Sequence, residues 1–114
     1  MAGSMGEPAM YAIAFDLDTA QLQELYHATS WQNAYADIGR ELNRFGFTRQ
    51  QGSVYFGGDK VTPVTCVMAV QAIAVKYSWF QPSVTDIRML RIEELNDLAP
   101  AISQAVEMRK GNFV

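Results

Sequence analysis

The chain has 114 residues, of which 49% are hydrophobic and 18% charged, and its net charge is −3 at pH 7. This balance predicts a globular chain rather than a disordered one, and no apolar run approaches the roughly 18 residues that a membrane helix needs. The acidic net charge argues against proteins that coat nucleic acid by bulk electrostatics, since those are usually basic. It does not exclude an enzyme that touches a few phosphates through local Arg and Lys side chains.

The first nine residues differ in composition from the rest of the chain. Residues 1–9 (MAGSMGEPA) are small, polar and patternless, and we predict that they are an expression tag, with Met10 as the native start. Residues 10–114 are predicted to form one domain. The single cysteine, Cys66, excludes an internal disulfide framework and favours a reducing cytoplasm, and no membrane partner is expected.

The stretch 10–18 (MYAIAFDLD) alternates in side-chain size, which predicts a β-strand with two unlike faces. One face carries large apolar residues suited to burial under helices: Tyr11, Ile13, Phe15 and Leu17. The other face carries Ala12, Ala14, Asp16 and Asp18. Small side chains let a second surface approach the sheet closely, and Asp16 then lies at the end of the strand.

Asp16 is the candidate catalytic residue. An aspartate in this position commonly caps the following turn, but Asp18 and Thr19 are better placed to do so. Two chemistries suit Asp16. An ionised carboxylate can hold Mg²⁺ together with phosphate oxygens and water, or it can act as a base toward an RNA 2′-hydroxyl. The residues alone leave both open.

Two helices are predicted after this strand. Asp18 and Thr19 are expected to cap a short helical turn over 20–26, and Ser30 is expected to be the N-cap of a helix over 31–45. The apolar stripe of the longer helix is Tyr35, Ile38, Leu42 and Phe45. Gly46 follows the last periodic residue, which is typical of a left-handed helix terminus.

A hairpin and a further helix are predicted next. Residues 47–50 and 53–56 are β-prone runs around a turn at Gln51 and Gly52. A hydroxyl followed by proline, Thr62-Pro63, predicts a helix start, and the helix is expected to run to about residue 76. Its predicted apolar stripe is Val64, Val67, Val70 (or Gln71) and Ala74.

The rest of the chain completes a known pattern. Residues 83–93 are rich in β-branched side chains and predict a strand, although the faces of this strand are unresolved. A last helix is predicted over 98–109, with Ile102, Ala105 and Val106 as its stripe. The order βαββαβ with an extra C-terminal helix predicts an α+β, ferredoxin-like sandwich, with one antiparallel sheet covered on one face. Its open face would present Asp16 and invites a second copy, so we predict a homodimer.

The other chemistry-bearing residues are few. His27 is the only histidine, which excludes a two-histidine ribonuclease mechanism within one subunit, and it is predicted to lie on the surface. Cys66 is expected to be a buried structural thiol. Arg49, Ser53 and Tyr55 of the hairpin are candidate substrate-binding residues, because a guanidinium and a hydroxyl can orient a phosphate. Tyr11 is a fourth candidate.

Several blocks of the sequence resemble the virulence-associated protein D (VapD) family. They are residues 10–17, 33–38 with Leu42, 46–47, 51–55 and 84–88, and they keep the family's order and spacing from Met10 to roughly Asp97. The resemblance implies a ferredoxin-like fold akin to that of the small CRISPR-adaptation nucleases, a homodimer and endoribonuclease activity, with some members acting as toxins of toxin–antitoxin pairs. It places the family's first-strand aspartate, implicated in RNA cleavage, on Asp16.

Two hypotheses follow. The first is a homodimeric endoribonuclease that cuts single-stranded or loop RNA, with paired Asp16 side chains at the catalytic centre and Mg²⁺ as an open question. The second is a non-catalytic dimeric binding module, whose open sheet face serves assembly or docking of a protein antitoxin. The scarcity of catalytic residues favours the second hypothesis. Asp16 on a small-residue face favours the first.

Overall fold

A computed structural model describes residues 9–111. Its strands are β1 (Met10–Leu17), β2 (Phe47–Gln51), β3 (Val54–Gly57) and β4 (Val84–Ile92). Its helices are α1 (Thr19–Leu25), α2 (Asn33–Arg44), α3 (Pro63–Lys76), α4 (Phe80–Ser83) and α5 (Ala99–Arg109). No helix within 9–111 has the length and apolar character that crossing a membrane requires. The predicted expression tag lies outside the described residues except for Ala9.

The four strands form one antiparallel sheet in the order β2-β3-β1-β4. The connection through α1 and α2 leaves a place for β3 between β1 and β2, and the connection through α3 leaves a place for β1 between β3 and β4. This is the strand order of a ferredoxin-like sandwich. The predicted α+β class and the extra C-terminal helix are both confirmed.

The large face of β1 forms the floor of the core. Ile13 and Phe15 belong to one buried cluster with Ile38 and Leu42 of α2 and Ile73 of α3. This confirms which face of the first strand the helices cover. Burial of such side chains is the main favourable contribution to folding.

The caps of the first two helices differ from each other. Asp18 caps α1 as predicted, because its Oδ1 accepts a hydrogen bond from the backbone N–H of Gln21 at 3.1 Å. The prediction that Ser30 caps α2 is wrong. The Ser30 carbonyl accepts the N–H of Asn33 at 2.9 Å in a turn before the helix, and Gln32 occupies the N-cap position without a side-chain hydrogen bond.

The start of α3 is confirmed, but its predicted stripe is wrong. Thr62 forms a capping box, in which its Oγ1 accepts the N–H of Thr65 at 3.3 Å. The buried face consists of Cys66, Ala69 and Ile73, whereas Val64 and Val67 of the predicted stripe are exposed. Because α3 is apolar on almost every side, spacing alone does not select one face. Burial raises the pKa of the Cys66 thiol.

The glycines predicted at turns adopt left-handed backbone conformations. Gly46 after α2 has φ +97° and Gly52 in the β2–β3 turn has φ +49°, a region that glycine enters without a Cβ clash. Both the helix terminus and the hairpin are therefore confirmed. The hairpin turn lies at one end of the sheet, next to the end of β1.

Helix α5 forms where it was predicted but buries no residue. Asp97 Oδ1 accepts the N–H of Ala99 at 2.9 Å at its start. Ile102, a member of the predicted stripe, is 66% exposed, and Leu98 is 73% exposed. The predicted apolar stripe of α5 is therefore not buried against the rest of residues 9–111.

Candidate functional site

The face of the sheet that the helices leave open has an apolar centre. Ala12 is opposed by Phe56 of β3 and Leu90 of β4, and it is fully buried between them. Ala14, one step further along the same face, is opposed by Val54 of β3 and by Arg88 of β4, so the apolar character ends there on the β4 side. Because residues directly opposite one another share a face, these side chains form a shallow apolar trough along β1.

Two carboxylates lie at one end of this trough. Asp16 is exposed near the end of β1, and its register partner on β4 is Asp86. Directly opposed residues have Cβ atoms about 4.5–5.5 Å apart. Arg88, on the same face, donates from Nε to both carboxylate oxygens of Asp86 at 3.1 and 3.2 Å. The result is a pair of acids accompanied by a single guanidinium.

The charges in this group are only partly balanced. Like charges directly opposed across strands repel each other, and Arg88 offsets the charge of Asp86. Within residues 9–111 no hydrogen-bond or ion-pair donor is found for the Asp16 carboxylate. That carboxylate therefore has its lone pairs available to a substrate proton or a cation.

The backbone at Asp16 is irregular. The register between β1 and β4 shifts between Asp16 and Leu17, and the hydroxyl of Thr85 donates to the Asp16 carbonyl at 3.2 Å. Irregularities of this kind re-aim side chains and are common beside functional sites. Here the shift follows Asp16 directly, where regular pairing with β4 ends.

Asp86 was not identified from the sequence. The faces of its strand were unresolved, and no local pattern fixes the register of β4 against β1. One signal was available. In an antiparallel pair the end of one strand meets the beginning of the other, so an acid early in β4 is expected near an acid late in β1.

The donor set suits Mg²⁺ only in part. Mg²⁺ is usually held by one or two carboxylates, water and substrate phosphate oxygens, and Asp16 and Asp86 are two such carboxylates. Residues 9–111 contain no cluster of three or more His, Cys, Asp or Glu side chains that could hold a metal ion. A cation here would therefore rely on substrate oxygens and compete with Arg88 for Asp86.

Three of the four predicted substrate-binding residues lie together. They line a cleft of about 450 Å³ on the helix side of the sheet, bounded by Phe15, Tyr35, Ala36, Arg49, Gly52, Ser53 and Tyr55. The N–H of Phe15 donates to the carbonyl of Ser53 at 3.1 Å. Since Phe15 immediately precedes Asp16, the cleft and the carboxylates flank the same end of β1 on opposite faces of the sheet.

The Tyr55 ring forms part of the cleft floor. Its centroid lies 6.2 Å from that of Phe15, with the rings stacked at 20°, and its phenol end lies against Gly39 of α2. Burial raises the pKa of Tyr55. The ring is therefore held in place from two sides, and its hydroxyl is turned towards α2.

The fourth candidate, Tyr11, lies elsewhere. It is half-buried on the helix-covered face, on the order of 17 Å from Asp16 along β1. Its role in substrate binding stays a prediction, and the structure does not bring it to the carboxylates.

His27 is exposed, as predicted, and its ring packs on Tyr26 with centroids 4.3 Å apart.

No protein-family model matches the chain, but curated relatives match most of it. Endoribonuclease VapD 2 of Riemerella anatipestifer is 52% identical over 94 residues, which cover 82% of this chain and 100% of the relative. An endoribonuclease VapD homolog of Helicobacter pylori is 50% identical, covering 82% and 96%. Endoribonuclease VapD of Dichelobacter nodosus is 40% identical, covering 84% and 100%. With this identity over nearly the full length of its relatives, the chain belongs to the VapD family.

Proposed function

We propose that this protein is an endoribonuclease that cleaves RNA phosphodiester bonds, with the Asp16 carboxylate as its catalytic base. The observation that carries the proposal is the exposed Asp16 carboxylate, which has no donor among the described residues and lies beside an Asp86 already engaged by Arg88. The names of the relatives, which are endoribonucleases, support the same class of reaction.

In the proposed mechanism, Asp16 accepts the proton of an RNA 2′-hydroxyl. The 2′ oxygen attacks the adjacent phosphorus, and the 5′ oxygen leaves with a proton from water, so the products are a 2′,3′-cyclic phosphate and a 5′-hydroxyl end. General base catalysis of this kind contributes about 10²–10⁴-fold. Arg88 offsets the charge that develops on the phosphate. Asp16 and Asp86 would hold Mg²⁺ if it bound here, and the ion would supply a Lewis acid for that phosphate.

We also propose that the enzyme acts as a homodimer through the open face of the sheet. The apolar trough around Ala12 and Ala14 supports this, because self-complementary two-fold interfaces are the commonest in oligomers and exposed apolar patches mark association sites. Two copies related in this way would direct both Asp16 side chains towards one shared groove.

Cleavage of a mixed RNA by the wild type and Asp16→Asn tests the proposal. Asparagine keeps the size of the side chain and removes the charge, so we expect the same fold and mass with at least ~100-fold slower cleavage. The matched control is Asp59→Asn, which makes the same change in the exposed turn that follows β3. This variant should cleave RNA like the wild type. Equal cleavage by all three proteins would show that Asp16 is not catalytic.

The ends of the products separate the two chemistries of Asp16. A cyclic phosphate formed at an unchanged rate in the presence of a chelator supports attack by the 2′-hydroxyl without metal. If no protein cuts any RNA with any divalent metal, the binding-module hypothesis replaces the enzyme.

The role as a toxin of a toxin–antitoxin pair, which we also propose, predicts growth arrest on expression of the wild type and none with Asp16→Asn.

A further inference from the structure

The cleft beside the hairpin is not used by the mechanism above. Its walls combine aromatic rings from Phe15, Tyr35 and Tyr55 with the guanidinium of Arg49 and the hydroxyl of Ser53. Among residues 9–111 no carboxylate lines it, although the chain carries 12 acidic and 9 basic residues. The cleft is therefore apolar with one positive charge at its rim.

This combination matches the chemistry of a nucleotide. Proteins bind unpaired RNA bases by stacking them on aromatic rings, while arginines contact the flanking phosphates. An apolar ligand without charge would leave Arg49 unused, and a bare phosphate would leave the three rings unused. A ligand with an aromatic ring and an adjacent anion uses both.

The cleft is also preorganised. Arg49 Nε donates to the carbonyl of Gly52 at 2.9 Å, which holds the guanidinium beside the turn. Tyr55 is fixed between Phe15 and α2. Tyr35, on the first turn of α2, is only partly buried, so its ring remains available to a ligand. Side chains that are already held in place lose less conformational entropy when a ligand binds.

We propose that this cleft binds a nucleobase of the RNA substrate, with the base against Tyr35 and its phosphate on Arg49. This inference rests on the proposed function, because it extends the RNA path to a second contact. The two sites flank one end of β1, since Phe15 lines the cleft and the next residue is Asp16. An RNA strand that passes around this end can place one base in the cleft and an adjacent phosphodiester at the carboxylates.

Binding rather than cleavage provides the test. The probe is a short fluorescent RNA with 2′-O-methyl groups, which has no free 2′-hydroxyl to attack the phosphate, and the readout is fluorescence anisotropy. We expect Tyr35→Ala to weaken binding at least ~5-fold, as loss of base stacking does, and Tyr35→Phe to bind like the wild type. Arg49→Gln should weaken binding and reduce its salt dependence, whereas Arg109→Gln on α5 should change neither.

A second probe separates base from phosphate. The wild type should bind the same oligonucleotide with abasic sites as weakly as Tyr35→Ala binds the intact one. Ala36→Glu, which adds a carboxylate on the exposed part of the cleft wall, should weaken binding even if Tyr35→Ala does not fold. Equal affinity of the wild type for intact and abasic probes would overturn the inference.

The outcomes for the two proposals are distinguishable. Asp16→Asn removes a negative charge beside the proposed RNA path and should not weaken binding of the probe, so its failure to cleave concerns only the proposed function. If the wild type cleaves no RNA but Tyr35→Ala still weakens binding, the cleft remains a base-binding site and the nuclease proposal fails. If Tyr35→Ala and Ala36→Glu both fold and bind normally, the cleft inference is wrong whatever the cleavage result.

Discussion

At position 39 the lack of a side chain determines where the Tyr55 ring lies. A Cβ on Gly39 would lie 2.5 Å from the Tyr55 hydroxyl oxygen, which is far closer than van der Waals contact. Alanine would otherwise favour α2, because glycine in a helix costs about 1 kcal/mol relative to alanine. The two effects have opposite signs, and Tyr55 decides between them.

We therefore predict that Gly39→Ala lowers the free energy of unfolding when it is made in the wild type. Made in the Tyr55→Phe variant, the same change should raise the free energy of unfolding by up to ~1 kcal/mol relative to Tyr55→Phe alone. The phenylalanine removes the hydroxyl that the new methyl group would meet. Urea unfolding of the four proteins measures the interaction between the two changes. Additive effects would mean that the two groups do not collide.

The residues of the candidate site differ in how well their positions could be predicted from the sequence. Asp16 was predictable because alternation within one strand assigns its face without reference to any neighbour. Asp86 was not, because its position depends on the register between β1 and β4, which are far apart in the chain. The cleft was predictable in part. Arg49, Ser53 and Tyr55 share one hairpin, whereas Tyr35 comes to them only through the packing of α2.

Among the secondary-structure elements, α2 and α3 are joined by a buried carboxylate. Glu41 of α2 is 4% exposed and accepts a hydrogen bond from Lys76 Nζ at 2.7 Å. Arg44 Nη1 lies 3.4 Å from the same oxygen. The hydrogen bond from Lys76 is the main reason that the pKa of Glu41 lies below its usual value near 4.5. The folded state thus binds a proton at Glu41 less readily than the unfolded chain does.

From this we predict how the stability depends on pH. The contribution of Glu41 is present above about pH 4.5, where the unfolded carboxyl is ionised, and is lost as the pH falls through its lowered folded pKa. Glu41→Gln should cost about 1–2 kcal/mol at pH 7, a modest value because Lys76 is half-exposed, and progressively less as the pH falls below about 4.5. Urea unfolding at a series of pH values from 7 downward measures this, with Glu24→Gln on the exposed side of α1 as the control. A pH-independent cost would contradict the assignment.

The two long helices also differ in how far a sequence pattern determined their packing. In α2 charged residues such as Arg40 separate the apolar positions, so the stripe with Ile38 and Leu42 was predictable. In α3 apolar side chains lie on almost every side, and the buried face consists of Cys66, Ala69 and Ile73. Close packing of a helix on a sheet depends on side-chain size, which hydrophobic spacing does not report.

For the whole molecule, we predict that the open face of the sheet forms the homodimer interface. Ala14→Arg places a long charged side chain in the trough without touching the core below the sheet, so we expect a folded monomer at concentrations where the proposed wild-type dimer forms. Light scattering after gel filtration gives the mass, and circular dichroism checks the fold. Gln23→Arg on exposed α1 adds the same charge and should leave the mass unchanged. A dimer of Ala14→Arg would place the interface elsewhere.

The buried position of Cys66 has a practical consequence for labelling. It is the only thiol in the chain, it is 3% exposed, and burial raises its pKa, so little reactive thiolate is present at neutral pH. Thiol reagents should therefore modify the wild-type chain slowly. A cysteine substituted for Thr48, an exposed residue of the sheet edge, would carry a spin label at one defined place. Distances between labels on two chains can then be measured without first removing a native cysteine.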